Sequence, residues 1–207
     1  MTPDDLRVAG FLDARRALSF LEELPAGQDW VGDLSASADP DQALLQAVRL
    51  READPGLVDA LSRDERARRR VCAILGGSQW LGDYVIADPA RAAAINEDPG
   101  DPREVLYEAV GVRTVGRGVW VAAREATADD LRAAYRRVLL HLAADDLTSG
   151  SPEEAMPSVG ARIADLVDAT MDAGLALARR DVDPEGTVPF AIIAMGKTGA
   201  RELNYIS

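Results

Sequence analysis

The hydrophobic pattern of this chain changes period once, at residue 188. Up to about residue 185, apolar side chains recur every three or four positions between short breaks, as amphipathic helices require. From Val188 to Ala194 the run is continuously apolar, interrupted only by Pro189 near its start, where a strand tolerates proline. A buried strand is the expected structure. It leads directly into Met195-Gly-Lys-Thr-Gly-Ala-Arg-Glu-Leu-Asn-Tyr-Ile-Ser207. A strand that ends in a glycine turn and opens a helix-like Ala200-Arg-Glu-Leu is an arrangement whose backbone N–H groups can receive a phosphate. The chain is therefore expected to be mainly α: a helical region over residues 1–185, then the first strand and glycine turn of an α/β domain over 186–207.

The breaks between helical segments carry their own chemistry. Asp13 can cap a segment in which Ala17, Leu18, Leu21 and Leu24 keep helical spacing, and Pro25 stops it. A loop is expected next, until Asp39-Pro40 supplies an N-cap with proline at the first helical position, where its missing N–H costs nothing. Leu44, Leu45, Val48 and Leu50 form a helix closed by Asp54-Pro55-Gly56, and Ser62 to Leu75 form another that breaks at Gly76-Gly77-Ser78. Glu97 to Arg103 reads as a loop. Val110 to Val121, where glycines interrupt valines and Trp120, suits either a loose hairpin or an extended connection. Thr127 with Asp130 is a capping-box variant ahead of the stripe Leu131, Tyr135, Val138, Leu139 and Leu142. Ser158 is expected to open a last long helix, in which Ile163, Val167, Met171, Gly174 and Ala178 repeat at helical spacing while Asp165, Asp168, Asp172 and Arg179 stay polar.

Acidic side chains outnumber basic ones 35 to 23, giving a net charge of −12. That balance opposes phosphate backbones, whose affinity comes from basic residues displacing counterions, so nucleic acid is not an expected partner. The basic cluster Glu65-Arg-Ala-Arg-Arg-Arg70 reads as a solvated helix face. No stretch reaches the roughly 20 apolar residues of a membrane span, and Met1-Thr-Pro-Asp-Asp does not resemble a signal peptide. A cytoplasmic protein without membrane association is expected. Cys72 reads as a small core residue, and His141 as a boundary residue rather than a metal ligand. Trp30, Trp80 and Trp120 are expected to anchor packing, and Asp181-Val-Asp183, followed by Pro184, to serve as linker despite its metal-like spacing.

Three phosphate motifs can be tried against the terminal turn. A P-loop needs a glycine five residues before Gly196, and that position is Ala191. A dinucleotide fingerprint needs three glycines, and only Gly196 and Gly199 are present. In the nucleotidyltransferase arrangement a strand and glycine turn hold the triphosphate, and a second strand about ten residues later carries Asp-x-Asp for Mg²⁺. Gly196 with Lys197 fits the first element and Ser207 falls where the second would begin, so residues 186–207 are expected to be the start of a truncated α/β nucleotidyltransferase (polymerase-β-like) domain. Lys197, the sole lysine among the 23 basic side chains, suits a phosphate as a compact ammonium. Gly196, Lys197, Gly199 and Ser207 are thus the candidate nucleotide-binding residues. Glu202 suits either structural hydrogen bonding or support of the site, and Asn204 and Tyr205 shape the turn.

At these residues the chain resembles the bifunctional glutamine synthetase adenylyltransferase/adenylyl-removing enzymes of bacteria. Their motif G-M-G-K-x-G-x-x-E-L-N-Y-x-S-D-x-D is matched by Met195 to Ser207, with Ala194 in place of the first glycine. Gly76-Gly-Ser78, Leu81-Gly82-Asp83 and Asp88-Pro89 are similar to a second family segment. Leu131-Arg132, Tyr135-Arg136-Arg137 and Asp146-Leu147 are similar to its arginine-rich helix, with His141 where an arginine is expected, and Ile163 to Asp168 to the helix after that. The likeness covers roughly residues 40–207. It implies a parent nucleotidyltransferase that uses ATP or ADP with Mg²⁺, adenylylates and phosphorolytically deadenylylates a tyrosine of glutamine synthetase, and answers to a PII-type signal protein in nitrogen regulation. By position the chain resembles the start of the N-terminal, adenylyl-removing half. The Asp-x-Asp pair is absent from the sequence, so the fragment itself is expected to be inactive, with no metal or nucleotide bound. The competing reading is a non-enzymatic helical interaction module whose glycine turn is only a cap; a nucleic-acid-directed nucleotidyltransferase is disfavoured by the charge.

Overall fold

The computed structural model describes residues 1–205, and the chain divides into two compact units: Met1–Glu97 with Ala143–Gly150, and Asp98–Leu142 with Ser151 onward. The first unit holds α1 (Pro3–Val8), α2 (Ala14–Glu23), α3 (Gly27–Ser35), α4 (Pro40–Ala53), α5 (Pro55–Leu61), α6 (Glu65–Gly77), α7 (Gln79–Ile86), a 3₁₀ turn (Pro89–Ala92) and α8 (Ala93–Asn96). Asp13, Asp39, Asp54 and Asp64 each accept a hydrogen bond from the N–H three residues on, a cap typically contributing about 1 kcal/mol. Helix α4 packs on α2, α5, α6 and α7. Its Ala43, Leu44, Ala47 and Leu50, with Val71, Cys72, Ile74 and Leu75 of α6, are fully or almost fully buried. Cys72 is the core residue its neighbours imply, and burial pushes its thiol pKa well up.

Four expectations for this unit are corrected, the last of them at Trp80. Residues 27–35 form a helix rather than a loop, because burying Trp30 and Leu34 outweighs the weak propensity of a glycine-containing stretch. The Trp30 Nε1–H is shared between the Pro25 carbonyl at 3.1 Å and Ser62 Oγ at 3.2 Å. Asp54 does not merely close α4; it caps α5 as well, so α6 starts at Glu65 behind Asp64 rather than at Ser62. The basic cluster is a solvated face at Arg66 and Arg69 but not at Arg68 and Arg70, which are buried. Arg68 reaches Asp33 at 2.6 Å with both side chains about nine-tenths buried, and Arg70 donates to the Ile95 carbonyl from Nε and Nη2 and to Asp145 from Nη1.

The glycines of the α6–α7 junction are demanded by close packing. Ser78 ends α6 and caps α7 through Leu81 N–H. A β-carbon on Gly82 would lie 1.5 Å from Oε1 of Gln46, and one on Gly76 2.9 Å from the Asp39 carbonyl. Gln46 is buried and its Nε2 reaches the Gln79 carbonyl at 3.4 Å, so the amide has little room to retreat. Gly82→Ala is expected to destabilise the protein by about 1–3 kcal/mol, as overpacking does, and a denaturant titration measures it. Asp83 meets Arg49 at 2.6 Å. Trp80, expected as an anchor, is instead 53% exposed and stacks on Tyr84, because at its position α7 faces away from α4.

The second unit begins with α9 (Pro102–Ala109) and an antiparallel hairpin of β1 (Arg113–Val115) and β2 (Val119–Val121), in register Arg113↔Val121, which realises the hairpin alternative. Helices α10 (Ala128–Leu147), α11 (Pro152–Val182) and α12 (Gly196–Ala200) follow, with residues 143–147 of α10 counted in the first unit. The Thr127–Asp130 capping box is formed. Leu131 and Val138 are buried, and Tyr135 and Leu139 pack beside them as the stripe predicts. His141 is half-buried. Trp120 meets Tyr107 edge to face at 5.2 Å. Helix α11 starts six residues before Ser158, with Pro157 inside it. Ile163 is buried as expected, but from there the seam runs through Leu166, Ala169, Ala173 and Ala176 rather than Val167, Met171, Gly174 and Ala178, because small residues let α9 and β2 approach closely. Met171 is therefore exposed.

Candidate functional site

The residues after α11 depart most from expectation. Residues 188–195 form no strand, and Ile193 and Met195 are 83% and 82% exposed. A strand is held by a neighbour's hydrogen bonds, and the only paired strands among the described residues are β1 and β2, which pair with each other. Asp183 fixes the start of this segment, accepting from Thr187 N–H, Thr187 Oγ1–H and Val188 N–H at 2.8, 2.8 and 3.0 Å. Asp183 is thus linker chemistry, as its proline suggests, whereas Asp181 and Val182 are the last residues of α11, with Asp181 paired to Arg180. The bonds from Val188 and Thr187 hold the Asp183 pKa below its usual value. A lowered folded pKa makes its contribution fully present above about pH 3.9 and lost as pH falls through the folded value. The Thr187 and Val188 amide resonances are expected to move together with a midpoint below 3.9, and Asp183→Asn to remove that step; a midpoint at or above the ordinary value would contradict this.

The glycine turn is itself the short helix α12, and the helix-like Ala200-Arg-Glu-Leu expected after it does not form, because Arg201 in the left-handed conformation (φ +60°) ends the helix. Gly196 has φ +60°, a left-handed conformation suited to glycine, with open space at its β position. A β-carbon on Gly199 would stand 2.6 Å from the Ala194 carbonyl, so that position admits only glycine without a shift. Lys197 lies between them, exposed, with no side-chain hydrogen bond or ion pair among the described residues. The turn closes where Arg201 and Glu202 N–H groups return to the Thr198 and Lys197 carbonyls. Gly196, Lys197 and Gly199 are therefore brought together; Ser207 lies outside the described residues. The Glu202 side chain is exposed.

What holds the turn in place was not legible as a site. Gly160 of α11 lets the backbone of residues 201–203 approach, its β position being 3.3 Å from the Leu203 carbonyl. Leu203 packs on the cluster Leu142, Val159 and Ile163. Arg201 pairs with Asp165 at 2.8 Å. Farther along α11, Val167, Asp168, Met171 and Asp172 face Ile192–Met195 and Thr198 across an open groove of about 410 Å³. Asp172 accepts from Tyr107 OH and meets Arg103, each at 3.1 Å. Burial, the Asp172 charge and that hydrogen bond push the Tyr107 pKa up to about 12. The spacing of Asp165, Asp168 and Asp172 was the one available signal, since it sets them on one helix face.

The donor set does not suit a divalent metal. Among the described residues no three acidic, histidine or cysteine side chains gather as a metal would need, and Asp165 and Asp172 are each committed to an arginine. The arrangement offers a backbone turn with one ammonium beside a groove that is apolar on one wall and acidic on the other.

A family model described as glutamate-ammonia ligase adenylyltransferase matches residues 68–207. Among curated proteins, the bifunctional glutamine synthetase adenylyltransferase/adenylyl-removing enzyme of Leifsonia xyli is 36% identical over 96% of this chain and 22% of its own length. Those of Cutibacterium acnes and Mycolicibacterium smegmatis are both 38% identical, over 86% and 84% of this chain and 19% and 18% of their own. The chain thus spans about a fifth of the length of the curated relatives it matches. No solved structure matches it.

Proposed function

Because the chain belongs to the glutamate-ammonia ligase adenylyltransferase family, we propose that it is the helical approach to a nucleotidyltransferase site in an enzyme that adds AMP to, and removes it from, glutamine synthetase. The observation that carries this reading is the Gly196–Gly199 turn, which presents Lys197, unpaired among the described residues, to solvent while residues 201–203 are seated on α11. A backbone turn with a fixed base and a free ammonium can hold the phosphates of ATP, ADP or an adenylyl group. The exposed apolar run 188–195 leads into the turn without forming a strand. Control by a PII-type signal protein rests on the family resemblance alone. The net charge of −12 argues against nucleic acid as substrate, and no helix among the described residues is long and apolar enough to cross a membrane.

Phosphoryl chemistry of this class needs carboxylates that hold metal beside the turn. Of the carboxylates beside the turn, Asp165 and Asp172 are arginine-paired, Asp168 is on the far wall of the groove and Glu202 is a single exposed group, so this chain by itself is proposed to catalyse neither addition nor removal. Incubated with adenylylated glutamine synthetase, phosphate and Mg²⁺, the 207-residue chain is expected to release no AMP or ADP above the blank. Steady release by the purified chain would overturn the proposal.

A further inference from the structure

We propose that a second cavity, at the C-terminal end of α11, binds a phosphoryl dianion. It measures about 550 Å³ and is lined by Arg113, Arg124, Arg180 and Asp181, with Val121, Ala122 and Pro184 completing the wall. It shares no lining residue with the groove beside α12, so it is independent of the proposed nucleotidyl site.

The wall is fixed before any ligand arrives. The Ala122 N–H donates to the Ala176 carbonyl at 3.0 Å, tying the end of β2 to α11. Arg180 ties the same two segments from the other side, its Nη1 donating to the Ala126 carbonyl. The Asp183 bonds to Thr187 and Val188 fix the turn that follows Pro184. A site whose backbone is already ordered loses little conformational freedom on binding.

Its charge is unbalanced in one direction. Asp181, the acidic side chain in the lining, is taken up by Arg180, whose Nε and Nη2 reach its two oxygens at 2.7 and 3.0 Å. Arg113 and Arg124 make no side-chain hydrogen bond or ion pair among the described residues. The pair Arg180–Asp181 being neutral, two positive charges remain. A phosphoryl group carries about −1.5 to −2 at neutral pH and three acceptor oxygens, which two guanidinium forks can address bidentately. Inorganic phosphate and the phosphate of a monoester present this same chemistry.

Calorimetric titration of the 207-residue chain tests the assignment, with inorganic phosphate, ribose 5-phosphate and malonate in separate arms at fixed ionic strength. Saturable binding of inorganic phosphate is expected, weakened at least tenfold by Arg113→Gln or Arg124→Gln and unchanged by Arg15→Gln, an exposed arginine of α2 outside the cavity. Binding of ribose 5-phosphate as well points to a monoester as the source; binding of inorganic phosphate alone points to the free anion. Circular dichroism should show the variants folded, since both arginine side chains are exposed and unbonded. Absence of saturable binding, equal affinity in the Arg113→Gln/Arg124→Gln double variant, malonate bound as tightly as phosphate, or an equal loss of binding on Arg15→Gln would each overturn it.

Discussion

Arg68→Met is expected to destabilise the first unit by about 3–5 kcal/mol, because it leaves the Asp33 carboxylate buried without its counter-ion. The Arg68 guanidinium reaches Asp33 at 2.6 Å, donates to the Ser62 carbonyl at 3.2 Å and lies 5.8 Å from the centre of the Trp30 ring. One arginine therefore ties α6 to α3 and to the α5–α6 connection. An effect of that size lowers Tm by something of the order of 10 °C, and tryptophan emission should report it through Trp30. The paired replacement Arg68→Met with Asp33→Leu is expected to recover most of the loss, since an apolar pair of similar volume removes the stranded charge. A loss below about 1 kcal/mol in the single variant would place the pair in the weak class of exposed ion pairs instead.

That arginine also marks where sequence reading stopped. Helix starts were legible because aspartate caps act locally: Asp13, Asp39 and the Thr127–Asp130 box form as their spacing requires. The Arg-rich segment was not, because whether an arginine is solvated depends on Asp33 and Asp145, residues 35 and 75 positions away. The seam of α11 misled for a related reason. Pattern reading weights Val167 and Met171 above Ala169 and Ala173, whereas packing against α9 and β2 rewards small side chains. The run 188–195 reads as a strand from composition, yet a strand exists only when a neighbour supplies its hydrogen bonds. Of the candidate site, Gly196, Lys197 and Gly199 were legible from their order alone. Their seating on Gly160, Asp165 and Leu203 depends on tertiary contact and carried no local signal.

Lys197→Gln is the second large effect expected, and it falls on activity rather than stability. The side chain is exposed and bonds to nothing among the described residues, so its loss should change stability by less than about 0.5 kcal/mol. Loss of a charged group aimed at a reacting phosphate, by contrast, typically lowers rate by about a hundredfold or more. Gly199→Ala should act differently, forcing a β-carbon to within 2.6 Å of the Ala194 carbonyl and displacing the turn itself.

The central claim is that Gly196–Gly199 is the phosphate-holding turn of an adenylyl-handling enzyme. Its most direct test is to graft this chain into the Leifsonia xyli relative in place of the matching segment and to measure AMP removal from adenylylated glutamine synthetase, with and without Lys197→Gln. The predicted result is a folded chimera that removes AMP, and a Lys197→Gln version with the same Tm and a rate lower by about a hundredfold. Equal rates in the two chimeras would contradict the claim.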